Sequence, residues 1–203
     1  GYGIESQNKV KYGDNSTSSS ILSPNVSSSS YLEILIILGT GLGITHISNS
    51  GVVYNSEGGH IYPRIDDLEY LHYLEQELNT NTITFDDVLS SRGLEYRYFY
   101  DSNIYKSSKE IVELAKQKDS KVLETMIFFL QELLYFLQDC VHFDNIATRL
   151  YLGGDFSTDI YHLLQLYFPK ELEQLELKCE IETISNNYLQ FLGGIELIRK
   201  RID

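Results

Sequence analysis

Residues 32–38 read Leu-Glu-Ile-Leu-Ile-Ile-Leu and run straight into Gly39-Thr-Gly-Leu-Gly43. A short, β-branched apolar run ended by glycine predicts a strand buried on both faces. Downstream, Ile44–Ser48 and Val52–Tyr54 flank Asn49-Ser50-Gly51, which predicts a hairpin. Leucines at 68, 71, 74 and 78 lie on one face of a helix over Asp67–Leu78. Ser107-x-x-Glu110 is a capping box that opens a second helix through Ala115. Val122–Val141 is apolar nearly all round and predicts the central buried helix. Glu124, Gln131, Glu132, Gln138 and Asp139 interrupt it well short of the ~20 apolar residues a membrane span needs. Arg149–Leu152 and Glu180–Ile184 read as further strands, and Gly193–Ile202 as a closing helix. Interleaved strands and helices argue for an α/β fold.

Length and composition set the outer bounds. With 203 residues, 42% of them apolar and 22% charged, the chain can bury a core as one large domain with a tail. Residues 14–30 are mostly serine without periodicity and read as a disordered insert or linker, dividing the chain into 1–30 and 31–203. The acidic Glu171–Glu180 stretch alternates with leucines and reads as an amphipathic surface. Net charge is -13, so the surface offers no general attraction for DNA, RNA or an anionic membrane. Cys140 and Cys179 have neither CxxC spacing nor enough company for a disulfide framework, which points to a reducing, cytoplasmic setting. The chain opens on Gly1 rather than Met and reads as an internal piece of a longer protein.

Two loops carry chemistry. In Gly39-Thr-Gly-Leu-Gly43, glycines allow the backbone to turn tightly and let amides approach a ligand, so the loop is either an anion nest with a Thr40 hydroxyl or a plain β-turn. No Gly-Lys-Ser/Thr follows and the next element reads as a strand, which excludes a Walker A loop and a dinucleotide fingerprint. In Glu57-Gly-Gly-His60, two glycines hold a carboxylate and an imidazole close together. The carboxylate accepts from neighbouring hydroxyls and the imidazole donates or accepts, which suits a polyol such as a sugar. The alternative is a surface turn. No second His or Cys stands at metal-ligand spacing.

GTGLG, a short hairpin and then EGGH, in that order, resemble the bacterial-type glucokinases of the actin-like sugar-kinase superfamily. Phe85-Asp-Asp-Val-Leu-Ser-Ser-Arg-Gly-Leu94 is similar to that family's glutamate-containing segment, Leu152-Gly-Gly154 to its glycine pair beside the adenosine, and Phe191–Leu197 to the turn into its terminal helix. The resemblance implies the large C-terminal domain of an actin-like ATPase (ribonuclease H-like) fold, a mixed sheet flanked by helices, with the N-terminal domain missing. It implies ATP-dependent phosphorylation of glucose or a related hexose to the 6-phosphate, the entry step of glycolysis, with Mg²⁺ on the nucleotide. Glu57, His60 and Asp86 would bind sugar. Gly39, Thr40, Gly41, Gly43, Gly153 and Gly154 would line the ATP site.

The catalytic base of the family is an aspartate in an Asn-Asp pair just upstream of a segment like Gly1-Tyr-Gly-Ile4, and that pair is absent here. No catalytic residue is therefore assigned within the chain, and by itself it is expected to be inactive. Asp86 is one carbon–carbon bond shorter than the family's glutamate, Ala147 and Thr148 replace glycines, and Tyr62-Pro63 replaces an acidic residue after EGGH. These departures keep a rival in view, a non-catalytic sugar- or nucleotide-binding relic of a sugar kinase. In the resembled fold the last helix packs on the N-terminal domain. Ile195, Ile198 and Ile202 form its apolar stripe, so the isolated chain is expected to be marginally stable or to pair as a homodimer.

Overall fold

The computed structural model describes residues 32–48, 52–144 and 147–184. The serine-rich segment, the hairpin turn at 49–51 and the expected closing helix with its isoleucine stripe lie outside the described residues.

Strand β1 (Leu32–Leu38) takes the sequence-predicted bounds, and Ile34, Leu35, Ile36 and Leu38 are all essentially inaccessible, as a strand covered on both faces requires. It pairs antiparallel with β2 (Leu42–Ser48), which pairs antiparallel with β3 (Val53–Ser56). On its other edge β1 pairs parallel with β4 (Ala147–Gly153), which in turn carries β5 (Glu180–Ile184) in parallel. The resulting mixed five-stranded sheet has the order β3-β2-β1-β4-β5.

One face, through Ile34, Ile36, Leu38, Ile44, Leu150 and Leu152, joins a large core with the helices. The other carries a smaller cluster around Leu35, Ile47 and Tyr151.

Helix α1 (Leu68–Leu78) begins where Asp67 Oδ1 accepts the Tyr70 amide at 3.0 Å, satisfying one of the orphan donors of a first turn. A short helix α2 (Phe85–Val88) and α3 (Ser91–Ser102) follow. The sequence pattern predicts no helix at α3, and the reason is its composition: its buried face holds Gly93 and the charged Arg97 beside Leu94 and Tyr98. The burial of Arg97 is compensated by Asp67 and Asp101, each 3.0 Å away, while the rings of Tyr70, Tyr100 and Phe128 pack on the guanidinium. Hydrophobic periodicity has no way to register such a residue.

The predicted capping box opens α4 (Ser108–Lys116), where Ser107 Oγ accepts the Glu110 amide and Glu110 Oε2 accepts the Ser107 amide at 2.9 Å.

Helix α5 (Ser120–Asp144) is the predicted central helix, with a correction. It is not covered all round: Glu124, Ile127, Gln131 and Tyr135 form an exposed strip at intervals of three and four residues. Among the described residues no helix is long and apolar enough to cross a membrane. Helix α6 (Ser157–Tyr167) and α7 (Pro169–Glu176) complete the described order; α7 turns Leu172 and Leu175 into the core, as the alternation of leucine with acid suggested. Cys179 is buried and its thiol is pushed up to about 11 by desolvation.

The covered side of α5 includes one carboxylic acid. Glu132 is 5% exposed, Oε2 has no hydrogen-bond partner among the described residues, and burial together with the nearby Asp66 carboxylate raises it from 4.5 to about 7. Below pH 4.5 the group is protonated folded or unfolded and costs nothing by ionisation. As pH rises from 4.5 toward about 7 the folded protein resists an ionisation that the unfolded chain completes, so stability falls across that range and levels off above it. Glu132→Gln should therefore match the wild type in acid and exceed it at pH 8, by up to about 3 kcal/mol. Denaturant unfolding at the two pH values reads the difference; a gain of equal size at both would mean the carboxyl is not the cause.

Candidate functional site

The site forms where strand β1 ends. At the C-terminal end of the parallel pair β1 and β4, the chain leaves β1 toward β2 on one side and leaves β4 toward α6 on the other. Connections that part in this way open a crevice beyond the strand ends. Here it is a cleft of about 580 Å³ bordered by Gly39 and Thr40 of the β1–β2 turn, Ser91, the first turns of α4 and the Asp155–Phe156 corner ahead of α6. The volume falls in the range of small-molecule sites.

Gly154 fixes the β4 side of the crevice. Its φ is +115°, and a Cβ there would collide with the Leu38 carbonyl, so glycine alone permits the approach of the two strand ends.

The β1–β2 turn is less of an open nest than its glycines suggest. The Gly39 amide donates to the Gly41 carbonyl at 3.0 Å, and the Leu42 amide donates to Asp86 Oδ1 at 2.6 Å. Among the described residues, the Gly39 and Leu42 amides are committed within the protein, and those of Thr40 and Gly41 have no such bond. The exposed Thr40 borders the cleft.

Among the expected phosphate-site glycines, Gly39 belongs to the cleft lining, while Gly41, Gly43, Gly153 and Gly154 do not. Gly43 lies within β2 opposite Ile37, and Gly153 lies within β4 beside β1.

Beyond the turn, Glu57, Gly58, Gly59 and His60 form a 3-10 turn at the end of β3. The His60 amide donates to the Glu57 carbonyl at 2.9 Å, and Ser56 Oγ accepts the Gly58 amide at 3.1 Å. Gly59 is buried against Leu42, so closely that a Cβ at residue 59 would stand only 2.6 Å from the Leu42 carbonyl oxygen. The Glu57 and His60 side chains pair at 2.8 Å between Oε2 and Nδ1 and remain 86% and 66% exposed. This is a presented pair of acceptor and donor, not a core contact.

Asp86, expected as a third sugar ligand, comes to the same corner on α2, with Oδ1 on the Leu42 amide. Both motifs thus converge on one turn: Thr40 borders the cleft, and Leu42 touches both the EGGH loop and α2.

The lining of the cleft carries Glu113, Asp155 and Asp159 against one lysine, Lys109. Lys116, close by, bonds Glu113 at 3.1 Å and Asp159 at 3.0 Å, and these partners hold its ammonium above its ordinary range. Asp155, Phe156 and Lys109 were not singled out from the sequence. Asp155 follows the Leu152-Gly-Gly154 segment directly and could have been found from it.

Among the described residues no group of three His, Cys, Asp or Glu side chains could hold a metal ion.

A mixed sheet of this order, helices packed on it and a crevice at the strand ends define the large-domain fold of actin-like sugar kinases. The sequence profile of the Glucokinase family matches residues 15–175, and the chain belongs to that family. Comparison with curated proteins gives no match.

Among solved structures, the glucokinase of an Antarctic psychrotroph superposes with a TM-score of 0.64 at 17% identity, over 86% of this chain and 60% of that one. The glucokinase of Balamuthia mandrillaris, solved in complex with glucose, gives 0.61 at 19% over 87% and 56%. The ROK hexokinase of Thermus thermophilus gives 0.59 at 15% over 84% and 58%. At these identities the likeness is one of fold, and this chain spans 56–60% of the length of those three.

Two of the glycines expected at the phosphate site make opposite demands. Gly154→Ala should cost at least about 2 kcal/mol, since a side chain there meets both a positive φ and a backbone carbonyl. Gly43→Ala should stay within about 0.5 kcal/mol, because the new Cβ meets Ile37 at an ordinary 3.5 Å. Chemical denaturation of both variants checks the contrast, and equal losses would contradict the placement of the crevice.

Proposed function

We propose that the chain is the sugar- and phosphate-binding part of an ATP-dependent hexokinase, with glucose or a close relative as the acceptor. The observation that carries the reading is the single turn shared by two sites. Thr40 stands on the cleft while Leu42, two residues on, packs against the Glu57–His60 loop, so donor and acceptor would meet across the turn.

In this reading, the triphosphate of ATP lies along Thr40 and the free turn amides, and the adenosine extends toward Asp155, Phe156 and α4. The cleft lining is acidic on balance, which disfavours a bare polyanion. Mg²⁺ bound to the nucleotide supplies the neutralising charge. Glu57 accepts from sugar hydroxyls and His60 orients them, each kept in place by the other at 2.8 Å. The attacking hydroxyl oxygen forms a bond to the γ-phosphorus, the bond from that phosphorus to the β-bridging oxygen breaks, and ADP leaves. In this reading the hydroxyl proton passes to a carboxylate acting as general base, the role the resemblance gives to an Asn-Asp pair that this sequence lacks, and closure over the sugar would exclude water. Positioning and electrostatics, not covalent chemistry by the protein, supply the acceleration.

Coupled-assay kinetics on the full-length protein test the assignment. Glu57→Gln keeps the volume and loses the charged acceptor, and His60→Ala removes the imidazole. Each should lower kcat/KM for glucose by about ten- to a hundredfold and leave KM for ATP nearly unchanged. Wild-type sugar kinetics in both variants would remove EGGH from the sugar site. Tight hexose binding without turnover by the full-length protein would instead favour the binding-only relic.

A further inference from the structure

We propose that Asp86 is a positioning residue for the phosphate-side turn, acting through the Leu42 amide and not as a ligand of the sugar. Its functional consequence rests on the hexokinase reading; its structural basis does not.

The two adjacent carboxylates of α2 have divided tasks. Asp87 Oδ2 accepts the Thr84 amide at 3.0 Å and the Thr84 hydroxyl at 2.9 Å, closing the N-terminus of the helix. That cap sets the rotation of α2, and Asp86 Oδ1 then meets the Leu42 amide at 2.6 Å. The turn is built to admit it: a Cβ on Gly41 would stand 2.6 Å from the same oxygen, so glycine at 41 leaves the room the carboxylate occupies.

The segment that carries Asp86 grips the turn a second time. Beyond α2, the Ser91 amide donates to the Gly39 carbonyl at 2.8 Å, so residues 86 and 91 clamp the two ends of Gly39–Leu42. Gly93 makes the tight return from α2 into α3 possible, because a Cβ there would collide with the Asp87 and Val88 carbonyls. On its other side α2 is tied to the EGGH strap, where the Phe85 amide donates to the Ile61 carbonyl at 2.9 Å. The Phe85 ring is buried against Phe136 of α5.

A side chain shorter than glutamate is what this geometry uses. Asp86 is anchored one residue from a buried ring and spans to the turn directly. Removing it frees Leu42, and with it the angle at which Thr40 and Gly41 are offered to a phosphate.

The test compares Asp86→Ala and Asp86→Asn with the wild type in the full-length protein, by steady-state kinetics and by hydrogen exchange at the Leu42 amide. Asp86→Ala should expose Leu42 to exchange and raise KM for ATP, or lower kcat, by about tenfold or more, with KM for hexose nearly unchanged. Asp86→Asn keeps an acceptor oxygen and should restore both Leu42 protection and most of the nucleotide effect. Thermal unfolding of each variant identifies simple loss of folding, and the asparagine variant decides the question if the alanine variant does not fold.

The proposal is overturned if both substitutions raise KM for hexose while leaving ATP and Leu42 exchange untouched, which is the behaviour of a sugar ligand. If the wild type phosphorylates no hexose, the hexokinase reading fails on its own, and Leu42 exchange still decides whether Asp86 holds the turn.

Discussion

Strand β1 is hydrogen-bonded along both edges, antiparallel to β2 and parallel to β4, and the cleft and the turn beside it follow from that double pairing. An antiparallel neighbour can be reached by a three-residue turn, whereas a parallel neighbour must be reached by a long excursion. The excursion here is the whole helical layer from α1 to α5. At the end of β1 the short turn and the return from β4 therefore stand side by side and lead in different directions. The cleft is the space between them, and its shape depends on Gly154 permitting the backbones to meet at Leu38.

The helical layer is held together with less conventional means. Arg97 sits under three aromatic rings and between two carboxylates drawn from the start of α1 and the end of α3. Asp67 has two tasks at once, capping α1 through Oδ1 and bonding Arg97 through Oδ2. A buried ion pair is seldom a large net source of stability, but removing one partner strands the other at a cost of roughly 3–5 kcal/mol. The consequence is specificity of arrangement: α1 and α3 have one mutual orientation that satisfies Arg97. Because α1 follows the strap that begins at EGGH, that orientation also limits where the exposed Glu57–His60 pair can stand.

Much of this was legible in the sequence, for identifiable reasons. The bounds of β1 are legible to the residue because a β-branched apolar run ended by glycine has few alternatives. The α4 capping box and the leucine face of α1 are local signals, formed by residues three or four positions apart. Helix α3 was not legible, since its buried face is carried by a glycine and an arginine whose partners come from residues 67, 70 and 128. The exposed strip of α5 was missed because Ile127 and Tyr135 are apolar by type and open to solvent by position. At the site, the motifs singled out Thr40, Glu57, His60 and Asp86, but composition could not say that Asp86 and the EGGH loop meet the turn at Leu42, nor which atom each side chain would touch. That the Leu42 amide takes the Asp86 carboxylate is a contact across 44 residues of sequence, set by the Thr84–Asp87 cap and the absence of a side chain at Gly41.

In the proposed function, a single turn separates the sugar site from the nucleotide site. A structure of the full-length protein with glucose and an unreactive ATP analogue bound together measures this directly. Glucose hydroxyls are expected within hydrogen-bonding distance of Glu57 and His60, and the triphosphate against Thr40 in the cleft that Asp155 and Phe156 border. A nucleotide bound away from Thr40, or a sugar bound out of reach of the Glu57–His60 pair, would contradict it.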